Sequence, residues 1–313
     1  MIFLPSMDMA LFAPIHAFAV DADLYSRLAI DRERLRGYFE AVEDKYHDVP
    51  YHNKHHVVSV VCVCIRIWSE GGLGEAIRAV CPVDHHLLSL AFVTAAATHD
   101  LEHVGLTNDY LVRSFHRYAI EHNDVSPNES HHTATAFKLL FEQHNFVSAW
   151  SGEDVFLFRQ TIIGIVMASD MKEHFAITSR LRARDMKKLT SQDVPTLLQA
   201  ALKVADLGHT FLPLSEHLLW SYRLRDEMHD EGDLWKVRGW KAPALMDRSA
   251  CSDFPASQLG FFEFVVMPFF EVVATTLPSM RDLTKQAESN AAHWASESGH
   301  RRGRDSTSAR GRS

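Results

Sequence analysis

The chain has 313 residues, 46% of them hydrophobic and 23% charged, enough to bury at least one substantial core. Its formal charge of −8 excludes a nucleic-acid surface as the main working face, because such a surface needs concentrated Lys and Arg to displace counterions. A phosphate can still be handled if metal ions bring the positive charge, and 20 histidines, about three times the typical usage of roughly 2%, favour metal binding or proton transfer.

In chain order, residues 1–20 form an apolar segment that has no basic start and is interrupted by Pro5, Asp8, Pro14 and His16. It reads as a packed or loosely docked segment in preference to a signal peptide or an anchor. No later stretch reads as long and apolar enough to cross a bilayer, so no integral membrane span is expected. Residues 21–285 alternate apolar runs at helical spacing with short polar connections, which predicts one all-α domain. Val57–Trp68, Leu87–His99, Val155–Ser169, Val194–Leu207 and Gln258–Leu277 each predict a helix of three to five turns at ~3.6 residues per turn. Val57–Trp68 is β-branched enough to leave a strand as its alternative. Breaks are expected at Gly71-Gly72-Leu73-Gly74, at Asn123–Asn128 and at Ser151-Gly152, with a longer loop over Gly232–Pro255. Residues 286–313, rich in Ser, Arg and Gly from Ser289 onward, predict a disordered tail. Cys62, Cys64, Cys81 and Cys251 show no CxxC pair, which points to reduced thiols and a cytoplasmic location, with peripheral membrane attachment left open; Cys62 and Cys64 read as core filler. There is no internal repeat, P-loop or G-x-G-x-x-G phosphate cradle.

The chemistry gathers in separated clusters: Tyr51-His52-Asn53 with His56, His99-Asp100 with His103, and Asp206. These charged and metal-binding side chains interrupt apolar helical stretches, where an unpaired charge is costly. His52 and His56, four apart, share a face if helical, and His103 follows His99 by four. Asp206 ends the apolar stretch Ala201-Leu202-Lys203-Val204-Ala205, where a carboxylate needs a cation. Two His and two Asp with room for water suit a hydrolytic ion better than a closed structural site, and the surplus carboxylate capacity admits a second, harder ion. Two ions sharing an Asp can hold and deprotonate a bridging water for attack on a phosphate ester. Any one of these residues alone reads sooner as a helix-cap Asp or a hydrogen-bonded core His than as a metal ligand; taken together, the clusters favour the metal. Most other histidines, among them His47, His144, His217 and His293, are expected at the surface or at helix ends.

Taken as an ordered set, the motifs resemble the catalytic domain of the class I cyclic-nucleotide phosphodiesterases, within the wider HD-type phosphohydrolases. The residues that carry the resemblance are Tyr51-His52-Asn53-Lys54-His55-His56, Thr98-His99-Asp100-Leu101-Glu102-His103-Val104-Gly105 with Asn108, Asn128-Glu129-Ser130-His131-His132, Ala168-Ser169-Asp170-Met171, Val204-Ala205-Asp206-Leu207 and Ser257-Gln258-Leu259-Gly260-Phe261. The resemblance implies a compact helical domain with a deep two-metal pocket. His56, His99, Asp100 and Asp206 would hold the tighter ion, zinc, with Asp100 also touching the second, magnesium or manganese. His52 would be the general acid that protonates the departing ribose 3′ oxygen, oriented by Glu227. His103, Asn108, Glu129, His132 and Asp170 would hold waters and ligands in place behind them. Gln258 and Phe261 would receive the purine, with Leu224, His209 and Met171 around it. Without the resemblance, Phe261-Phe262 reads as core packing.

The chain departs from the family pattern at Val104, where a Pro is usual, and at Glu102, where an Asp is common; neither removes a ligand. His209 stands where adenosine-selective members commonly carry Asn, which puts strict selectivity for cyclic AMP in doubt. The resemblance therefore implies hydrolysis of 3′,5′-cyclic nucleotides, cyclic AMP favoured and cyclic GMP also admitted, to 5′-monophosphates, and a tendency to homodimerise. The alternatives are an HD-type phosphohydrolase acting on another nucleotide or phosphodiester, and a cyclic-nucleotide-binding pseudoenzyme. The intact ligand set and the Gln258-Phe261 pair weigh against both.

Overall fold

The computed structural model describes residues 9–184, 188–249 and 253–309; Met1–Asp8, Cys251 and residues 310–313 of the expected tail lie outside this set. Every regular element among the described residues is helical, as the apolar spacing predicts. The chain folds as two compact units, Met1–Gly208 and His209–Ser313, whose boundary falls inside the stretch expected to be one domain.

The first unit holds α1 (Phe12–Asp21), α2 (Leu24–Arg27), α3 (Arg32–Asp44), α4 (Lys54–Ser69), α5 (Leu73–Val80) and α6 (His85–Thr98). It continues with α7 (Asn108–Arg113), α8 (Arg117–Glu121), α9 (Pro127–Glu142), α10 (Gly152–Val166), α11 (His174–Arg182) and α12 (Val194–Asp206). Leu11, Ile15 and Phe18, at helical spacing, are buried, so the described part of the N-terminal segment packs on the body. The strand alternative for Val57–Trp68 is not realised. Asn53 caps α4 by accepting from the backbone N–H groups of His55 and His56, and the valines that follow are buried around most of the helix, which no two-faced strand would allow. Gly72, at φ 80°, makes the left-handed turn into α5. α6 is buried on all sides from Leu87 to Thr98 and is the central rod of the unit, with α4 and α10 packed against it and α12 against both of those. A cavity of about 290 Å³ lies among Leu88, Leu157, Ile165 and Leu198, lined by none of the expected site residues.

The second unit contains α13 (Leu214–Val237), α14 (Phe254–Phe261), α15 (Met267–Thr276) and α16 (Arg281–Ala309), with a π-helical segment, Phe262–Val266, joining α14 to α15. The expected loop begins later than Gly232. That glycine lies inside α13 because the returning chain passes over it: a Cβ there would sit 1.9 Å from the Met246 carbonyl oxygen. Phe254–Thr276, 23 residues with mean hydropathy 1.5 in its most apolar window, is long and apolar enough to cross a bilayer by length and composition alone. This corrects the expectation that no such stretch follows the N-terminus. In the structure it packs on α16, with Phe262, Val266, Phe269 and Phe270 buried. A second correction concerns the tail. Residues expected to be disordered from 286 continue α16 through Ala309, because Ala287, Asn290, Trp294 and Ser298 recur at helical spacing and are buried.

Candidate metal centre and substrate site

Local chain direction delivers each ligand of the first unit. His52 lies in the bend before α4, since Asn53 takes the cap; His52 and His56 therefore do not share a helix face as their spacing suggests. His56 is in the first turn of α4, His99 caps the C-terminal end of α6, Asp100 follows it in a turn, and Asp206 is the last residue of α12. Three helix ends thus bring four side chains together, with one ligand atom of each lying within 4.8 Å of the others. His56 Nε2 is 3.2 Å from Asp206 Oδ1 and 3.5 Å from Asp100 Oδ2, while His99 Nε2 is 3.1 Å from Asp100 Oδ2 and 3.5 Å from Asp206 Oδ1.

This geometry fits a cation between the four. His99 Nδ1 lies 2.9 Å from the Ala96 carbonyl, which can only accept, so the hydrogen sits on Nδ1 and the Nε2 lone pair points at the cluster. His99 Nε2 and Asp100 Oδ2 are both buried and make no hydrogen bond, although they are only 3.1 Å apart. Two lone pairs aimed at a common point explain that better than a failed pairing. The electrostatics agree. Burial opposes ionisation of Asp100 and Asp206, yet the neighbouring imidazoles outweigh it and hold both carboxyls well below the usual range. Burial likewise disfavours a charged His99, but Asp100 and Asp206 push its pKa well up. The site demands positive charge, which a divalent ion would supply.

Beside this cluster, His52 packs against His103, ring centroids 4.1 Å apart with the planes tilted by 33°, and His103 Nδ1 accepts from the Gly105 N–H at 3.0 Å. Asn108, at the start of α7, donates to Glu129 Oε2 at 2.9 Å and to Asp170 Oδ2 at 3.3 Å, and accepts from the Asn128 N–H at 2.9 Å. Burial, with some help from the charge of Asp170, pushes Glu129 up to about 7 despite the bond from Asn108. Asp170 is only partly buried; burial opposes its ionisation, but the backbone N–H and ammonium of Lys172 keep its carboxyl low. His132 is fully enclosed in α9, and desolvation holds it neutral, its pKa well below the ordinary value. Met171 is half exposed, its Sδ 4.0 Å from Lys203 Nζ. Lys203 belongs to none of the motifs singled out in the sequence. It is fully buried in α12, donates to the Ser169 carbonyl at 3.1 Å, and is held below its usual pKa by burial against the pull of Asp206, Asp170 and Glu129. The same signal that marks Asp206, a charge inside an apolar run, marks Lys203.

In the second unit, Glu227 is buried on α13 and Leu224 lies one turn before it, partly buried. Gln258 and Phe261 are partly exposed on α14, whereas Phe262 is fully buried, so of the two aromatics only Phe262 is core. His209 and His217 are both buried and stack with ring planes 9° apart; His217, expected at the surface, is enclosed because Trp294 of α16 covers it. Asn290, one turn before Trp294, donates to the Thr210 and Leu212 carbonyls at 2.8 and 2.9 Å and fixes the turn that carries His209.

Helix ends that gather two imidazoles and two carboxylates within 4.8 Å of one another supply the donor set of a divalent-metal site of hydrolytic type. The chain matches the model of the 3′5′-cyclic nucleotide phosphodiesterases over residues 51–287 and belongs to that family. Its relatives include the Plasmodium falciparum protein named dual 3′,5′-cyclic-AMP and -GMP phosphodiesterase beta, 31% identical over 74% of this chain and 20% of the relative. Another is mouse 3′,5′-cyclic-AMP phosphodiesterase 4C, 30% identical over 91% of this chain and 42% of the relative. The chain thus spans between a fifth and about two fifths of the length of these relatives. In fold it is similar to the phosphodiesterase domain of the RhoPDE fusion protein from the choanoflagellate Salpingoeca rosetta, with a TM-score of 0.84 at 24% identity, covering 96% of this chain and 94% of that one. Divalent-metal dependence belongs to the family, and the His/Asp cluster is the place this chain offers for it.

Proposed function

We propose that this chain hydrolyses 3′,5′-cyclic nucleotides to 5′-monophosphates, acting on cyclic AMP and also on cyclic GMP. The observation that carries the reading is the convergence of His56, His99, Asp100 and Asp206, with His99 Nε2 and Asp100 Oδ2 buried and without a hydrogen bond. These four residues would hold zinc, and Asp100 would be shared with magnesium or manganese. When bound, such ions supply Lewis acidity, lowering the pKa of water and neutralising charge on the phosphoryl oxygens. The remaining work falls to the chain. His52, resting on His103, gives its ring N–H proton to the ribose 3′ oxygen as the P–O3′ bond breaks, while water contributes the new hydroxyl on phosphorus. Proton handling is assigned to His52 and Glu227, and the Asn108, Glu129, Asp170, His103 and His132 network keeps the groups around the ligands from turning away. Phe261 offers an aromatic face to the purine, and Gln258 an amide that can both donate and accept. The cytoplasm, where cyclic nucleotides signal, is the proposed location, and a homodimer the proposed assembly.

The test is hydrolysis of cyclic AMP and cyclic GMP side by side by the purified chain, with magnesium or manganese, before and after a chelator strips the tighter ion. Metal-dependent release of the 5′-monophosphate is expected. Absence of turnover of both nucleotides by metal-loaded protein overturns the reading.

A further inference from the structure

A second group of metal-binding side chains comes together on the first unit, and none of its members has a part in the proposed hydrolysis. Glu121 is the last residue of α8, His122 is the C-cap of that helix, and His131 lies in the second turn of α9. One ligand atom of each lies within 4.8 Å of the others. The two imidazole rings stand 6.1 Å apart with their planes at 66°, close to the 5.5 Å and 55° of His56 and His99 in the catalytic cluster. His131, itself buried, is held in the way a ligating histidine is held. Its Nε2 lies 2.7 Å from Glu102 Oε2, and the other oxygen of that carboxylate accepts from the Lys45 ammonium at 2.6 Å. A carboxylate paired with Lys only accepts, so the His131 hydrogen sits on Nε2 and the lone pair on Nδ1. An imidazole that gives its second nitrogen to a carboxylate is the usual arrangement behind a metal ligand. Tyr118 lies flat on the same ring, centroids 3.5 Å apart, and its hydroxyl donates to the Glu102 carbonyl at 3.1 Å, which fixes both members of the pair. His122 is partly buried, and its Nε2 is enclosed without a hydrogen-bond partner, a state that is costly unless something binds there. Burial lowers the pKa of both rings, against the pull of Glu121 on His122 and of Glu102 on His131, so both are neutral near pH 7. Glu121 is exposed, which leaves the remaining positions around an ion to water.

We infer that Glu121, His122 and His131 form a separate zinc site, outside the catalytic centre. Two imidazoles and one carboxylate with open positions suit zinc, whereas magnesium and calcium take oxygen donors. The ion would tie the end of α8 to α9 and, through Glu102, to the turn that follows α6. The other cluster of this kind, Asp84, His85 and His86, is less suited: Asp84 Oδ1 is already taken up by the backbone N–H and the ring of His86, both at 2.8 Å, and none of the three is buried.

The test counts zinc bound to the full chain and needs no turnover. Chelator-stripped protein is dialysed against a series of free zinc concentrations with magnesium in excess, and bound zinc is measured for the native chain, His122→Gln, Glu121→Gln and His86→Gln. The native chain and His86→Gln should bind one zinc per chain that His122→Gln binds about 100-fold more weakly or not at all, and Glu121→Gln should weaken the same ion by about tenfold or more. Thermal melting separates a lost site from a lost fold: the stripped proteins should melt together, and only the native chain and His86→Gln should gain the full rise in Tm from the extra ion. Should His122→Gln fail to fold, the exposed Glu121 carries the test alone. Native zinc content and affinity in a folded His122→Gln or in Glu121→Gln overturns the inference, as does loss of the extra ion from His86→Gln instead.

Discussion

Replacing Asp206 with Asn tests the metal centre without relying on turnover. The side chain keeps its shape and one oxygen at the end of α12 but loses its charge, in a cluster where it lies 3.2 Å from His56 Nε2 and 3.5 Å from His99 Nε2. Loss of a group that merely supports a ligand costs ~10–100-fold in metal affinity, so loss of a direct charged donor should cost at least the upper figure, about 100-fold or ~2.7 kcal/mol. At a free metal concentration about 100 times the native Kd, binding stabilises the native fold by ~2.7 kcal/mol, and the variant by only ~0.4 kcal/mol. The assay is a titration of chelator-stripped protein with zinc, following occupancy by metal analysis and stability by thermal melting. The native protein should gain several degrees in Tm where the variant gains almost none, while the two stripped proteins melt close together. A variant that binds zinc with native affinity refutes the ligand assignment, whatever its activity.

His52→Ala should leave metal content intact and slow hydrolysis of the cyclic nucleotide far more than that of an activated nitrophenyl ester, whose leaving group needs no proton; equal losses on both remove His52 as the acid. His209→Asn should move the ratio of cyclic-AMP to cyclic-GMP turnover toward cyclic AMP, since an amide can both donate and accept, and an unchanged ratio takes His209 out of base recognition. His217 supplies a pH test of stability. Its pKa is about 4 in the fold against an ordinary 6.5, so its contribution is fully present above about pH 6.5 and is lost as pH falls toward 4. At ~1.4 kcal/mol per unit this amounts to roughly 3 kcal/mol at most. Urea unfolding at pH 7 and pH 4.5 should show the loss in the native protein and a smaller one in His217→Gln; identical pH dependence would show that His217 is not buried neutral.

Charges set in apolar helices make the first unit's site legible in the amino-acid order alone. Asp206 at the end of Ala201–Ala205 and His99-Asp100 at the end of Leu87–Thr98 stand out because burial without a partner is costly, and the fold brings these side chains together. Spacing allows His52 a place on a helix because it does not say which residue caps; Asn53, accepting two backbone N–H groups, starts α4 two residues too late to include it. The C-terminal helix is hidden for a different reason. Its sequence is so rich in Ser, Arg and Glu that composition masks a stripe formed by Ala287, Asn290 and Trp294, and a tail is judged by its average while a helix is held by one face. Gly232 misleads in the opposite direction, since a residue that usually breaks a helix is needed inside one to let Met246 approach. His217 has no sequence signal of its own, because its burial depends on Trp294, 77 positions away.

The family model ends at residue 287, just short of Asn290 and Trp294. In order of synthesis, every motif that gives the family its name leaves the ribosome before the two side chains that secure the His209 turn. A nascent chain stopped after its last family motif would carry the whole His/Asp cluster and still lack the two side chains that hold the His209 turn and enclose His217. A protease or a premature stop acting between residues 287 and 294 would accordingly free the His209 turn while leaving the His/Asp cluster in the chain.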